Sequence, residues 1–161
     1  MKLQSHIKKT VLFFTLAFIY LIILWVKSDS DFDIGLKAYY KENYTKAFKH
    51  MKLAADKNNP EAQYGVGMMY YKGQGTPKNY TQAAYWYKKS ALQNNVKAQI
   101  NLAFLYCTGQ GVPQNIDMCL KWSRKAEDND YNLTIFWSNL EKYNLKYLKM
   151  YPLNLDSAVN K

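Results

Sequence analysis

The sequence predicts an all-α chain: a short right-handed α-solenoid of about three helix-turn-helix repeats, with a C-terminal capping helix and an N-terminal transmembrane helix. Three observations predict it. Residues 60–95 align with 96–131 at a shift of 36, with ten identical positions, and a fixed period of that length marks a stacked-repeat architecture. Residues 10–26 form an apolar run without a charge, Gly or Pro. Residues 133–150 carry one apolar stripe, stopped by Pro152.

The N-terminal element comes first. Residues 1–9 are a basic leader with Lys2, His6, Lys8 and Lys9, and the apolar run of 17 residues follows. At roughly 1.5 Å per residue it reaches about 25 Å, near the ~30 Å hydrocarbon thickness, with Lys9 and Lys27 able to snorkel and Trp25 suited to an interface. The exit, Val26-Lys27-Ser28, is a poor cleavage site, so the run reads as an uncleaved anchor, with a cleaved signal peptide as the alternative. Basic residues precede the span and Asp29, Asp31 and Asp33 follow it, which places the N-terminus in the cytoplasm and the repeats outside. In a bacterium the expected location is the inner membrane with periplasmic repeats, or the periplasm after signal cleavage. A short linker, 27–32, keeps the solenoid close to the bilayer.

Charge supports export more than nucleic-acid binding. The chain carries 22 Lys and Arg against 12 Asp and Glu, a net +10. Four of the basic residues flank the span, leaving a scattered +6 on residues 28–161. Arg124 is the only arginine, and bidentate recognition of bases and phosphates relies on that side chain. A solvated basic surface or a patch for an acidic partner are the two readings of that excess. Two cysteines and two histidines are too few for a Cys/His metal site, so no metal and no cofactor is expected.

Each repeat then reads as helix, turn, helix. The identities are Ala62/Ala98, Gln63/Gln99, Tyr70/Tyr106, Gly73/Gly109, Gln74/Gln110, Gly75/Gly111, Pro77/Pro113, Asn79/Asn115, Trp86/Trp122 and Lys89/Lys125. Ala62, Val66, Gly67 and Tyr70 keep helical spacing, GQG-x-P breaks the helix, and Ala83, Trp86, Tyr87 and Ala91 resume it. The same break recurs in the next unit, ending on Pro113. The glycines read as turn formers, because no strand precedes them and no G-K-S follows. The stretches VGMMYYKGQGTPKNYTQAAYWYKKSA and LAFLYCTGQGVPQNIDMCLKWSRKA resemble Sel-one-like repeats (SLR), relatives of the tetratricopeptide repeat. The resemblance covers units 60–95 and 96–131 and extends to a shorter, more tetratricopeptide-like unit at 31–59, in which His50 stands in the Trp slot. Ala103 departs from the pattern by replacing its Gly. Leu133, Phe136, Trp137, Leu140, Tyr147 and Leu148 then supply the cap that a terminal repeat needs, and 151–161 form a tail.

In hairpin solenoids the first helix of each unit lines the concave face. Its non-core positions here are Phe32, Leu36 and Tyr39, then Tyr64, Met68 and Tyr71, then Ile100, Phe104 and Cys107. Tyr39, Tyr64, Met68, Tyr71, Ile100 and Phe104 predict a partner groove flanked by Lys97 and Asn101; coverage by neighbouring units and the C-terminal helix is the competing reading. Cys107 ends a first helix and Cys119 begins its mate, with Pro113 midway, so a disulfide at ~5.5 Å Cα separation and a pair of packed thiols are both open.

Catalytic sets are missing from the exported part. Ser5-His6-Ile7-Lys8 matches S-x-x-K, a pattern of interest because some cysteine-rich SLR members are associated with penicillin binding, but it lies in the leader. Asn43, Asn79 and Asn132 begin glycosylation sequons, and the first two stand where second helices start, which makes helix capping the simpler role. The expected function is therefore a membrane-anchored, non-enzymatic protein-interaction module, an adaptor or scaffold of the cell envelope, with no nucleic acid or small-molecule substrate. An immunity protein that neutralises a secreted antibacterial effector is the alternative, and an envelope hydrolase ranks third.

Overall fold

The structure, a computed structural model, describes residues 14, 15, 18, 30–129, 132, 133 and 136. The chain divides into two units, 1–30 and 31–161. In the first, Phe14, Thr15 and Phe18 are helical and both phenylalanines are exposed. The rest of the 10–26 run, the leader and the tail lie outside the described residues, as does most of the expected capping helix. Among the described residues no helix is long and apolar enough to cross a membrane.

The second unit contains α1 (Asp31–Tyr40), α2 (Tyr44–Asp56), α3 (Pro60–Lys72), α4 (Tyr80–Leu92), α5 (Val96–Thr108) and α6 (Ile116–Glu127). They pack as three hairpins, α1 with α2, α3 with α4 and α5 with α6, and the hairpins join through α2 against α3 and α4 against α5. The expected linker is shortened by two residues, because α1 already starts at Asp31. Asp31 and Asp33 occupy its first turn, where carboxylates complement the helix dipole.

Asparagine sets the helix boundaries. Asn43, Asn59, Asn79, Asn95 and Asn115 cap α2 to α6, each side chain accepting from the backbone N–H three residues on at 2.8–3.1 Å. This assigns a cap role to Asn43 and Asn79, two of the three sequon residues. At the other end, Gly73 and Gly109 close α3 and α5 in the left-handed conformation and donate to Met69 O and Leu105 O.

The GQG-x-P segment divides the work of the break between its glycines and its proline. Pro77 and Pro113 are read there as part of the helix break, but α3 and α5 have already ended at their glycine caps before either proline is reached. Both prolines are exposed in the irregular stretch just ahead of the Asn79 and Asn115 caps. Pro113 is a solvent-facing turn residue whose fixed φ restricts the approach to α6.

Small residues make the hairpins close. Ala47, Ala62, Ala83, Ala91, Ala98, Ala103 and Ala126 are all fully buried, and they bring backbones together around larger side chains. Gly67 shows why: a Cβ there would stand 2.6 Å from the ring of Tyr87, which runs beneath α3. Gly35 stands in the same relation to Met51. In the third unit the residue equivalent to Tyr87 is Ser123, fully buried, and Ala103 replaces the glycine. The departure from the family pattern is a size exchange between two helices. Gly67→Ala is expected to cost about 1–3 kcal/mol, read as a lower urea midpoint at unchanged m-value; an unchanged midpoint would show that Tyr87 can move aside freely.

Polar seams join the hairpins. Gln63, fully buried, donates to Ala55 O at 3.2 Å and to Asn58 Oδ1 at 3.0 Å, and accepts from Gln93 at 2.8 Å. Ser90 Oγ donates to Pro60 O at 2.7 Å. Gln99 repeats the first contact with Ala91 O at 3.2 Å, but its Oε1 is buried without a partner. Trp86 and Trp122 are buried as expected, whereas Tyr70 and Tyr106, expected in the core, are half-buried. In the Trp slot of the first unit, His50 faces Asp31 at 3.2 Å, and Lys57 reaches the other carboxylate oxygen at 2.6 Å. The bond from Lys57, followed by that from His50, holds the Asp31 carboxyl below its ordinary range.

Candidate functional site

The first helices carry the predicted groove residues: Tyr39 on α1, Tyr64, Met68 and Tyr71 on α3, and Lys97, Ile100, Asn101 and Phe104 on α5. Helical spacing puts Tyr64, Met68 and Tyr71 on one side of α3, away from the buried Ala62, Val66 and Met69. Tyr39, Tyr64, Met68, Tyr71, Asn101 and Phe104 are half-buried and Lys97 is exposed. Ile100 differs: it is 9% exposed and belongs to the core cluster. Its position on α5 faces side chains supplied by other elements, which a single-helix reading cannot count.

Intramolecular contacts absorb part of the aromatic surplus. The Tyr64 ring lies 5.9 Å from that of Tyr87, and Tyr71 lies 5.1 Å from Tyr80. Tyr39 meets Tyr44 edge-on at 5.4 Å. Tyr87, from α4, forms the floor behind Gly67; burial pushes its hydroxyl far above the ordinary tyrosine range, with Tyr64 and Tyr71 adding to the effect. Leu133 and Phe136 are buried in the same apolar cluster against which Tyr64, Met68, Tyr71 and Phe104 pack. The groove therefore has a side that the chain itself covers.

A ladder between repeats was not legible beforehand. Tyr39 donates to Gln74 Oε1 of the second unit at 3.1 Å, and Tyr71 approaches Gln110 Oε1 of the third at 3.5 Å. The two tyrosines are equivalent positions, and the glutamines sit in the repeated GQG turn. The signal was present as the identity Gln74/Gln110, but identity alone does not name a partner one repeat away.

The ladder ends in sulfur. The third equivalent position is Cys107, which forms a disulfide with Cys119, with a Cα separation of 5.2 Å. Cys119 occupies the slot that Ala47 and Ala83 fill in the earlier units, and both cysteines are fully buried. The last hairpin is thus clamped within itself at the position where the first two are tied to a following turn.

Among the described residues no group of three or more His, Cys, Asp or Glu is placed to hold a metal ion. The arrangement offers aromatic faces, a thioether, an amide and an ammonium, which suit the recognition of another chain.

The Sel1 repeat family model matches residues 34–59, 60–95 and 96–131. Among solved structures, the chain is 35% identical to a Sel1 repeat protein from Oxalobacter formigenes, with a TM-score of 0.61 over 65% of this chain and 41% of that one. It is 34% identical to a protective antigen of uropathogenic Escherichia coli strains that displays an SLR fold, with a TM-score of 0.58 over 62% of this chain and 22% of that one. Similarity to the Helicobacter pylori cysteine rich protein B is 25% identity with a TM-score of 0.50, over 52% of this chain and 62% of that one. The chain thus spans less than two thirds of each of these relatives. No curated protein matches it. With three hairpins that the family model matches one by one, the chain belongs to the Sel1 repeat family, whose repeats are generally protein-interaction modules.

Proposed function

We propose that the chain is a membrane-anchored adaptor or scaffold of the cell envelope, without catalytic activity. Residues 10–26 anchor it, with the N-terminus cytoplasmic and the repeats on the far side of the membrane. Its groove residues Tyr39, Tyr64, Met68, Tyr71 and Phe104, flanked by Lys97 and Asn101, take up a segment of a partner protein. The observation that carries this reading is the row of half-buried aromatic side chains across successive first helices. Aromatic rings with few rotatable bonds lose little entropy on binding, which suits them as anchors.

Pull-down from detergent-solubilised membranes tests it. Replacing Tyr64, Met68 and Tyr71 together by Ala is expected to reduce recovery of the co-purifying protein by about tenfold or more. Because these side chains are half-buried, the Lys97→Ala/Asn101→Ala pair, which leaves the aromatic packing intact, serves as the second variant. Full recovery with both variants, each with the helical signal of the parent, would refute the groove.

A further inference from the structure

The second helices align residue for residue at a shift of 36, and this register turns a scattered charge into a surface. On its solvent side α2 carries Lys49, Lys52, Leu53 and Asp56. The equivalent positions of α4 are Tyr85, Lys88, Lys89 and Leu92. On α6 and its C-cap they are Lys121, Arg124, Lys125 and Asp128. The four positions follow i, i+3, i+4, i+7 spacing, so each helix contributes one stripe, and all twelve residues are exposed or half-buried.

Ring contacts bring the stripes of α2 and α4 side by side. The Lys52 ammonium lies 4.9 Å from the centroid of the Trp86 ring, and Lys89 lies 5.2 Å from that same ring and 5.2 Å from Tyr85. Lys125 sits 5.6 Å from Trp122 one repeat further on. Seven cations and two carboxylates give the twelve positions a net +5, or +4 with the neighbouring Asp117, against +6 for residues 28–161 as a whole. Asp56 is already occupied by Lys52 at 2.6 Å, and Asp117 borders the α6 stripe. Leu53, Tyr85 and Leu92, 43%, 50% and 60% exposed, stand among the cations.

We propose that this face docks on the surface of a bilayer containing anionic phospholipids. Six of the seven cations are lysines, flexible point charges suited to mobile headgroups; protein interfaces are depleted in lysine and enriched in arginine. Exposed leucine and tyrosine among lysines match the mixed composition of interfacial surfaces, in which apolar groups enter the headgroup boundary while ammonium groups stay at the phosphates. The apolar run 10–26 precedes α1 by only a few residues. The surface lies on the second helices and is separate from the groove on the first helices.

Full-length chain reconstituted into vesicles of phosphatidylcholine alone, or with about 30% phosphatidylglycerol, allows a direct test by amine labelling and mass spectrometry. Labelling of Lys88, Lys89 and Lys121 is expected to fall about threefold or more in the anionic vesicles, relative to Lys41, Lys72 and Lys78, and to recover in about 0.5 M salt. Replacing Lys88, Lys89 and Lys121 by Glu should remove the protection of Lys49 and Lys125 as well, at an unchanged helical signal. Equal labelling in the two vesicle types would overturn the proposal. So would protection that appears in neutral vesicles only when an acidic protein fraction is added. Replacing Tyr64, Met68 and Tyr71 by Ala should leave the lipid protection in place, so failure of the groove and failure of this face are read separately.

Discussion

Gly111→Ala is expected to destabilise the repeats by about 3 kcal/mol or more, whereas Gly109→Ala, two residues away, is expected to cost about 1 kcal/mol. Both glycines have nearly the same positive φ, 71° and 72°, so the backbone term is shared. The difference lies in the neighbours. A Cβ on Gly109 would come no nearer than 3.3 Å to Gln114 Cβ and 3.6 Å to Gln114 N, contacts that a shift of a few tenths of an ångström relieves. A Cβ on Gly111 would enter the backbone of Tyr80 and approach Thr81 N at 2.6 Å, at the start of the preceding repeat's second helix. Gly75 makes the same approach to Tyr44. Backbone atoms cannot rotate out of the way, so the turn would have to lift off the helix it rests on. Thermal unfolding separates the two variants, because about 3 kcal/mol corresponds to more than about 10 °C in a domain of this size. Equal losses for Gly109→Ala and Gly111→Ala would show that conformation alone matters there and that the repeats do not lock through this contact.

Breaking the Cys107–Cys119 bond is expected to have an effect of similar size. The cysteines are 12 residues apart, and loop-closure entropy for such a ring corresponds to about 3 kcal/mol at 25 °C. The bond encloses the turn after α5 and lies at the end of the Tyr39–Gln74 and Tyr71–Gln110 ladder, where no later turn is available among the described residues. Replacing both cysteines by Ser should therefore lower the melting temperature by about 10 °C or more and increase amide exchange first in α6. Single and double replacements should behave alike, since either one removes the bond. A melting temperature unchanged by reduction or by the double replacement would show that the two thiols contribute packing only.

The placing of the first-helix side chains was legible in part. Tyr64, Met68 and Tyr71 could be placed on one side of α3 from spacing alone, because the 3.6-residue period is a property of the helix itself. Ile100 could not be assigned this way. Its burial depends on side chains from other elements, among them the cluster that includes Leu133 and Phe136. The same limit applies to Tyr39 and Tyr71, whose hydroxyls are directed at glutamines one repeat away.

By itself the sequence determined the class of fold, the 36-residue units at 60–95 and 96–131, and the starts of two second helices at Asn43 and Asn79. Those features depend on local chemistry: apolar period, asparagine caps and left-handed glycines. Tertiary structure alone decided the rest. Gly75 and Gly111 read as turn formers in the chain, yet their neighbours make them the places where one repeat's turn meets another's backbone. Gly67 and Ala103 differ because Tyr87 lies opposite one and its counterpart is Ser123 in the next unit. Basic residues that look dispersed along the chain recur at equivalent positions of α2, α4 and α6, and Lys52 of α2 reaches the Trp86 ring of α4. Such facts depend on what lies across a helix interface, and only the folded chain supplies the neighbour.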